Sequence, residues 1–151
     1  MTEYQTIIFL DEDGARLSPY AAEAAKYKLK EAGLGRINVF ARGAVVLFPE
    51  PANPLIVELA AKKGLKLAGY RAKALSEDEF SDETLILSLD NASRQSAYHH
   101  FSGAKNIYVL REYVGETGDI KLVWGGTEED YEATAATMNR VLDDLVKMLL
   151  E

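Results

Sequence analysis

The sequence predicts an α/β fold: a single three-layer domain spanning residues 1–151, with a four-stranded parallel sheet and helices on both faces. Three observations carry that reading. Four short apolar runs, rich in β-branched residues, alternate with longer segments of helical spacing. The first run breaks into an acidic, glycine-containing loop just before a Ser-Pro pair. A chain of 151 residues is long enough for one domain with a substantial core, and no repeat or linker divides it.

Thr6 to Leu10 is too short for a helix and reads as a buried strand. It ends in Asp11-Glu12-Asp13-Gly14-Ala15-Arg16-Leu17. Ser18 then suits an N-cap, with Pro19 at the first helical position, where its missing N–H costs nothing. The helix continues through Tyr20, Ala21, Ala24, Ala25 and Leu29 to Gly33, the favoured residue just past a helix end. Ile37 to Phe40 reads as the second strand. Gly43, Pro49 and Pro51 mark Arg42 to Asn53 as a loop, despite the apolar patch Ala44 to Phe48. A second helix starts at Pro54 and ends at Lys62-Lys63-Gly64, where basic residues suit the helix dipole.

Ser76 with Glu79 fits a capping box on a short helix. Thr84 to Leu89 is the third strand, Asn91 to Phe101 a helix, and Asn106 to Leu110 the fourth strand. Glu112 to Thr127 is predicted as loop. Thr127 and Asp130 open a terminal helix with Tyr131, Ala135, Met138, Val141, Leu142, Leu145 and Leu149 along one apolar face. In such a fold ligands collect where strand ends meet helix starts, which directs attention to residues 11–18.

Composition narrows the function. Seventeen Lys+Arg against twenty-four Asp+Glu give a net charge of −7, which disfavours nucleic acid or an anionic membrane as a partner. With no cysteine the chain has no disulfide, thiolate nucleophile or cysteine-bound zinc. No run approaches the ~20 apolar residues of a membrane span, and the N-terminus lacks a signal-peptide pattern. The expectation is a cytoplasmic protein.

Beyond the opening loop, several stretches follow in a telling order: Glu50-Pro51-Ala52-Asn53-Pro54, Tyr70-Arg71-Ala72-Lys73 with Leu75, and Gly125-Gly126 with Tyr131 before the long last helix. With Ser18-Pro19 opening an alanine-rich helix, this succession resembles the low-molecular-weight protein tyrosine phosphatase family over nearly the whole chain. That family's loop is Cys-x5-Arg-Ser-Pro, in which a thiolate attacks phosphorus while the arginine and the loop amides hold its oxygens. The ungapped resemblance puts Asp11 at the cysteine position and Leu17 at the arginine position. A one-residue shift would recover Arg16 but place Leu10 at the nucleophile. The family's general acid lies in Asp-Pro-aromatic-Gly-Gly. Here that segment is Leu122-Val123-Trp124-Gly125-Gly126, with leucine in the acid's place.

The resemblance therefore implies the fold without the chemistry: a pseudophosphatase with no catalytic residue. Its expected role is binding or regulation through a degenerate phosphate loop, with a protein partner or a paralogous phosphatase as the candidate partner and no cofactor. The candidate binding residues are Asp11, Asp13, Gly14, Arg16, Ser18 and Trp124. Three acids at the loop would repel a phosphate dianion by roughly 1–4 kcal/mol per close pair.

Two other readings stay open. Asp11 and Asp13 also resemble the Asp-x-Asp motif of haloacid-dehalogenase-type phosphatases, with Mg²⁺ as cofactor, Ser88 as its hydroxyl and Lys105 as its lysine. Alternatively, an acid-lined cleft could take a small molecule. His99 and His100 point about 100° apart on a helix and read as an ordinary helix face. Trp124 and Tyr20 read either as cleft residues or as packing residues, and Val45 to Phe48 as lid core in preference to partner surface.

Overall fold

A computed structural model describes residues 4–122 and 125–151 of the chain. Four parallel strands lie in the order β2-β1-β3-β4: β1 (Thr6–Asp11), β2 (Asn38–Gly43), β3 (Thr84–Ser88) and β4 (Ile107–Val109). Among the described residues, five α-helices accompany them: α1 (Ser18–Glu31), α2 (Pro54–Lys62), α3 (Asn91–His100), α4 (Leu110–Tyr113) and α5 (Glu128–Leu150).

The pleat of β1 explains the layers. Ile7 and Phe9 join the larger core, with Leu85, Leu87, Val39 and Ala41 from the other strands and the apolar faces of α1, α2 and α5. Ile8 and Leu10 face the other way, into a smaller core with Ile86, Ile107 and Ala97 of α3. Buried on both faces, the central strands β1 and β3 carry near-continuous apolar runs, whereas the edge strands β2 and β4 alternate buried and exposed residues. Alanines 21, 24 and 25 let α1 lie close against the sheet, and Tyr131, Met138, Val141, Leu142 and Leu145 give α5 the predicted face. The glycine stop also holds: Gly33 has φ 78°, and the N–H of Leu34 returns to the carbonyl of Leu29.

Several boundaries differ from the sequence expectation. β2 begins at Asn38 and runs on to Gly43, because Ala41, Arg42 and Gly43 pair with Phe9, Leu10 and Asp11. β4 is only three residues long, and Leu110–Tyr113 forms one helical turn where strand end and loop were expected. The apolar patch is not lid core. Ala44 packs on the smaller cluster and Val46 lies against Gly43, but the other residues turn outward. Val45 is 54% exposed, Leu47 82% and Phe48 68%. Beyond Gly43 the chain leaves the sheet in a series of bends, and Val45, Leu47 and Phe48 are left exposed.

Candidate functional site

β1 is a central strand, and its last residue, Asp11, stands where the chain leaves for α1 on one side of the sheet while β3 leads to α3 on the other. This is the switch point at which an open α/β sheet leaves a crevice. The Asp11 side chain does not point into that crevice as a solvated acid. It is 5% exposed and turned into the loop that follows it. Its Oδ1 accepts the N–H of Gly14 at 2.7 Å, and its Oδ2 accepts the N–H groups of Leu17 at 3.0 Å and Ser18 at 2.8 Å. The loop amides that would surround a bound anion surround a carboxylate of the chain itself.

That arrangement corrects the expected role of Ser18. Ser18 is the first residue of α1, Leu17 is the N-cap, and no side chain of either makes the cap hydrogen bond. Asp11 supplies it from the end of β1. The Ser18 hydroxyl is fully buried beside the carboxylate without a well-formed hydrogen bond. Burial pushes the Asp11 carboxyl above the ordinary carboxylate range. The Ser18 and Leu17 amides and the Ser18 hydroxyl work against that rise, whereas the charge of Asp13 adds to it.

Two further groups fix the loop. Gly14 has φ 72°, and a Cβ there would stand 2.8 Å from the nitrogen of Gly43. A Cβ on Gly43 would meet the Asp13 carbonyl carbon at 2.5 Å. The two backbones touch because neither residue has a side chain. Tyr70 donates its hydroxyl proton to the Gly14 carbonyl at 2.5 Å. Burial, then the charge of Asp11, pushes this phenol up to about 12, with Arg42 opposing and Asp13 reinforcing.

The other candidates sit around this centre. Asp13 accepts the N–H of Ala15 at 3.0 Å and pairs with Arg16 Nε at 3.2 Å, so its two oxygens stabilise the loop. A cavity of about 350 Å³ opens above, where Glu12, Arg16, Leu17 and Leu122 meet Asp90, Ser93 and Lys121. Leu17 and Leu122, at the positions the resemblance gives to arginine and general acid, contribute only apolar surface. Asp90 is spent as the N-cap of α3, accepting the N–H of Ser93 at 2.7 Å. Charge around the cavity is mixed rather than uniformly acidic. Trp124 lies outside the described residues.

The remaining candidates do not join the site. Ser88 is buried and donates to the Asp90 carbonyl. Lys105 pairs with Asp82 at 2.9 Å, at the end of the sheet where the strands begin. His99 and His100 are exposed in the last turn of α3, away from the strand ends. Tyr20 is core: Asn139 Nδ2 donates to its oxygen at 3.1 Å, joining α1 to α5. The donor set does not fit Mg²⁺ either. Asp11 and Asp13 direct their oxygens at N–H groups of their own loop, and among the described residues no three His, Asp or Glu side chains cluster as metal ligands.

Sequence reasoning missed three residues: Tyr70, Gly43 and Asp90. Asp90 carried a usable signal, since an aspartate three residues before Ser93 and after a buried strand is a favoured N-cap. Tyr70 belongs to the Tyr70-Arg71-Ala72-Lys73 stretch, but nothing local connects it to a loop 56 residues earlier.

Comparison with known proteins agrees with this geometry. Residues 6–151 match the family described as low molecular weight phosphotyrosine protein phosphatase. The chain is 32% identical over 117 residues to the low molecular weight protein-tyrosine-phosphatase PtpB of Staphylococcus haemolyticus, covering 78% of this chain and 80% of that one. It is 27% identical over 145 residues to a protein-arginine-phosphatase of Bacillus subtilis, covering 95% of each. The crystal structure of a low molecular weight protein tyrosine phosphatase from T. tengcongensis superposes with a TM-score of 0.88 at 25% identity, covering 96% of this chain and 99% of that one. The chain belongs to the low molecular weight phosphotyrosine protein phosphatase family, and has no cysteine with which to do that family's chemistry.

Proposed function

We propose that this chain is a catalytically silent member of the family that acts by binding, through the face around residues 11–18, as a regulator of or competitor for an active phosphatase or its protein partners. One observation carries the reading: the Asp11 carboxylate occupies the amides of Gly14, Leu17 and Ser18. A phosphate group entering there would have to displace a covalently tethered anion. It would find no thiolate, since the chain has no cysteine at any position. Leu17 and Leu122 supply neither an anchoring cation nor a proton donor.

The test is turnover of p-nitrophenyl phosphate, a phosphotyrosine peptide and phosphoarginine, each with and without Mg²⁺. The expected rate is that of buffer alone. Hydrolysis that disappears in Asp11→Asn overturns the proposal, and a magnesium requirement would identify the aspartyl route instead.

A further inference from the structure

A second concavity, of about 270 Å³, adjoins the cavity above Asp11 and shares Glu12, Arg16 and Val45 with it. Its outer wall is the apolar loop after β2, where Leu47 and Phe48 are mostly exposed. Glu12, Asp13 and Glu50 line it as well. Asp13 pairs with Arg16, the one cation lining the groove among the described residues. Among the described residues, no ion pair or side-chain hydrogen bond holds either Glu12 or Glu50, and both are exposed. Two unengaged carboxylates thus share one concavity with Val45, Val46, Leu47 and Phe48. Exposed apolar surface of that kind marks a contact site, and the charge beside it selects what makes the contact.

We infer that this groove docks a segment of a partner protein in which basic residues alternate with large apolar ones. Its apolar side chains pack on Val45, Leu47 and Phe48, and its arginine or lysine side chains pair with Glu12 and Glu50. The inference rests on the binding role proposed above and names the chemistry of the partner. An acidic segment is disfavoured by the same carboxylates. A second copy of this chain, itself strongly acidic overall, brings net repulsion with it.

The test uses the full chain and three fluorescein-labelled decapeptides: alternating arginine and leucine, glutamate in place of arginine, and serine in place of leucine. Anisotropy should show saturable binding of the first only, weakened at about 0.5 M salt. Both Glu12→Lys with Glu50→Lys and Leu47→Ser with Phe48→Ser should weaken it about ten-fold or more. These residues are exposed, so the variants are expected to fold, and circular dichroism checks that. Equal binding of the glutamate peptide, or affinity within about two-fold in both double variants, overturns the inference. So does a dimer in sedimentation that Leu47→Ser with Phe48→Ser dissolves, because the occupant is then another copy. Phosphatase turnover is measured on the same preparations. Activity with docking intact sinks the silent reading alone, and inactivity with docking absent sinks only the groove.

Discussion

Asp11 Oδ2 accepts the N–H of Ser18 at 2.8 Å, so a carboxylate at the end of β1 caps a helix that begins seven residues later. With Leu17 and Gly14 on the same carboxylate, one side chain satisfies three amides of a buried loop. The loop is thereby finished without a ligand. Substitution of Asp11 should therefore be costly for stability. Asp11→Asn keeps the shape but turns an N–H donor toward one of the amides, at a cost of about 1–3 kcal/mol. Asp11→Ala leaves all three amides unpartnered and should cost about 3 kcal/mol or more. Urea unfolding of the three proteins checks both the size and the order.

The pH dependence has a defined sign. Burial raises the Asp11 carboxyl in the folded protein above its unfolded value of about 3.9. The folded state then holds the proton more tightly than the unfolded state. Its contribution to stability is complete below the unfolded value and declines as pH rises through the folded one. The stability difference between wild type and Asp11→Asn should therefore shrink as pH rises from about 4 through the raised range. Urea midpoints of both proteins across that window test this, with the Asp11 carboxyl followed by carbon NMR. A difference that grows over the same window would mean that the amides outweigh burial.

Tyr70 holds the loop from the opposite side. Tyr70→Phe removes its hydrogen bond to the Gly14 carbonyl and should cost about 1 kcal/mol. Ultraviolet titration should show two phenols ionising near 12, those of Tyr70 and Tyr113, and only one in the variant. Because the raised Tyr70 phenol favours the neutral form, the stability it contributes is lost as pH rises from the ordinary tyrosine range toward that value.

Gly43 and Gly14 test the backbone contact. Gly43→Ala puts a methyl group 2.5 Å from the Asp13 carbonyl carbon, and backbone cannot yield as a side chain can. A loss of about 3 kcal/mol is expected. Gly33→Ala is a useful control: its Cβ would meet nothing, so only the positive φ is strained, at about 1 kcal/mol.

The fold was legible because β1, β3 and α5 announce themselves locally, through short apolar runs and a sustained helical stripe. α4 was not, since Leu110 to Tyr113 is one turn and too short to show a period. Val45 to Phe48 misled because an apolar run does not say whether another element will cover it. The site was half legible. The Asp11-to-Pro19 stretch pointed to the right place, but three adjacent acids read alike in sequence. Only the fold separates them: Glu12 faces solvent, Asp13 holds Arg16, and Asp11 turns inward to meet amides that have no other partner.

The central claim is that Asp11 fills the anion cradle of its own loop, and binding of phosphate or vanadate by wild type and Asp11→Ala tests it most directly. Calorimetry should detect no binding to wild type and measurable binding to Asp11→Ala, whose three amides are vacated. Phosphate binding to wild type, reduced by the substitution, would contradict the account.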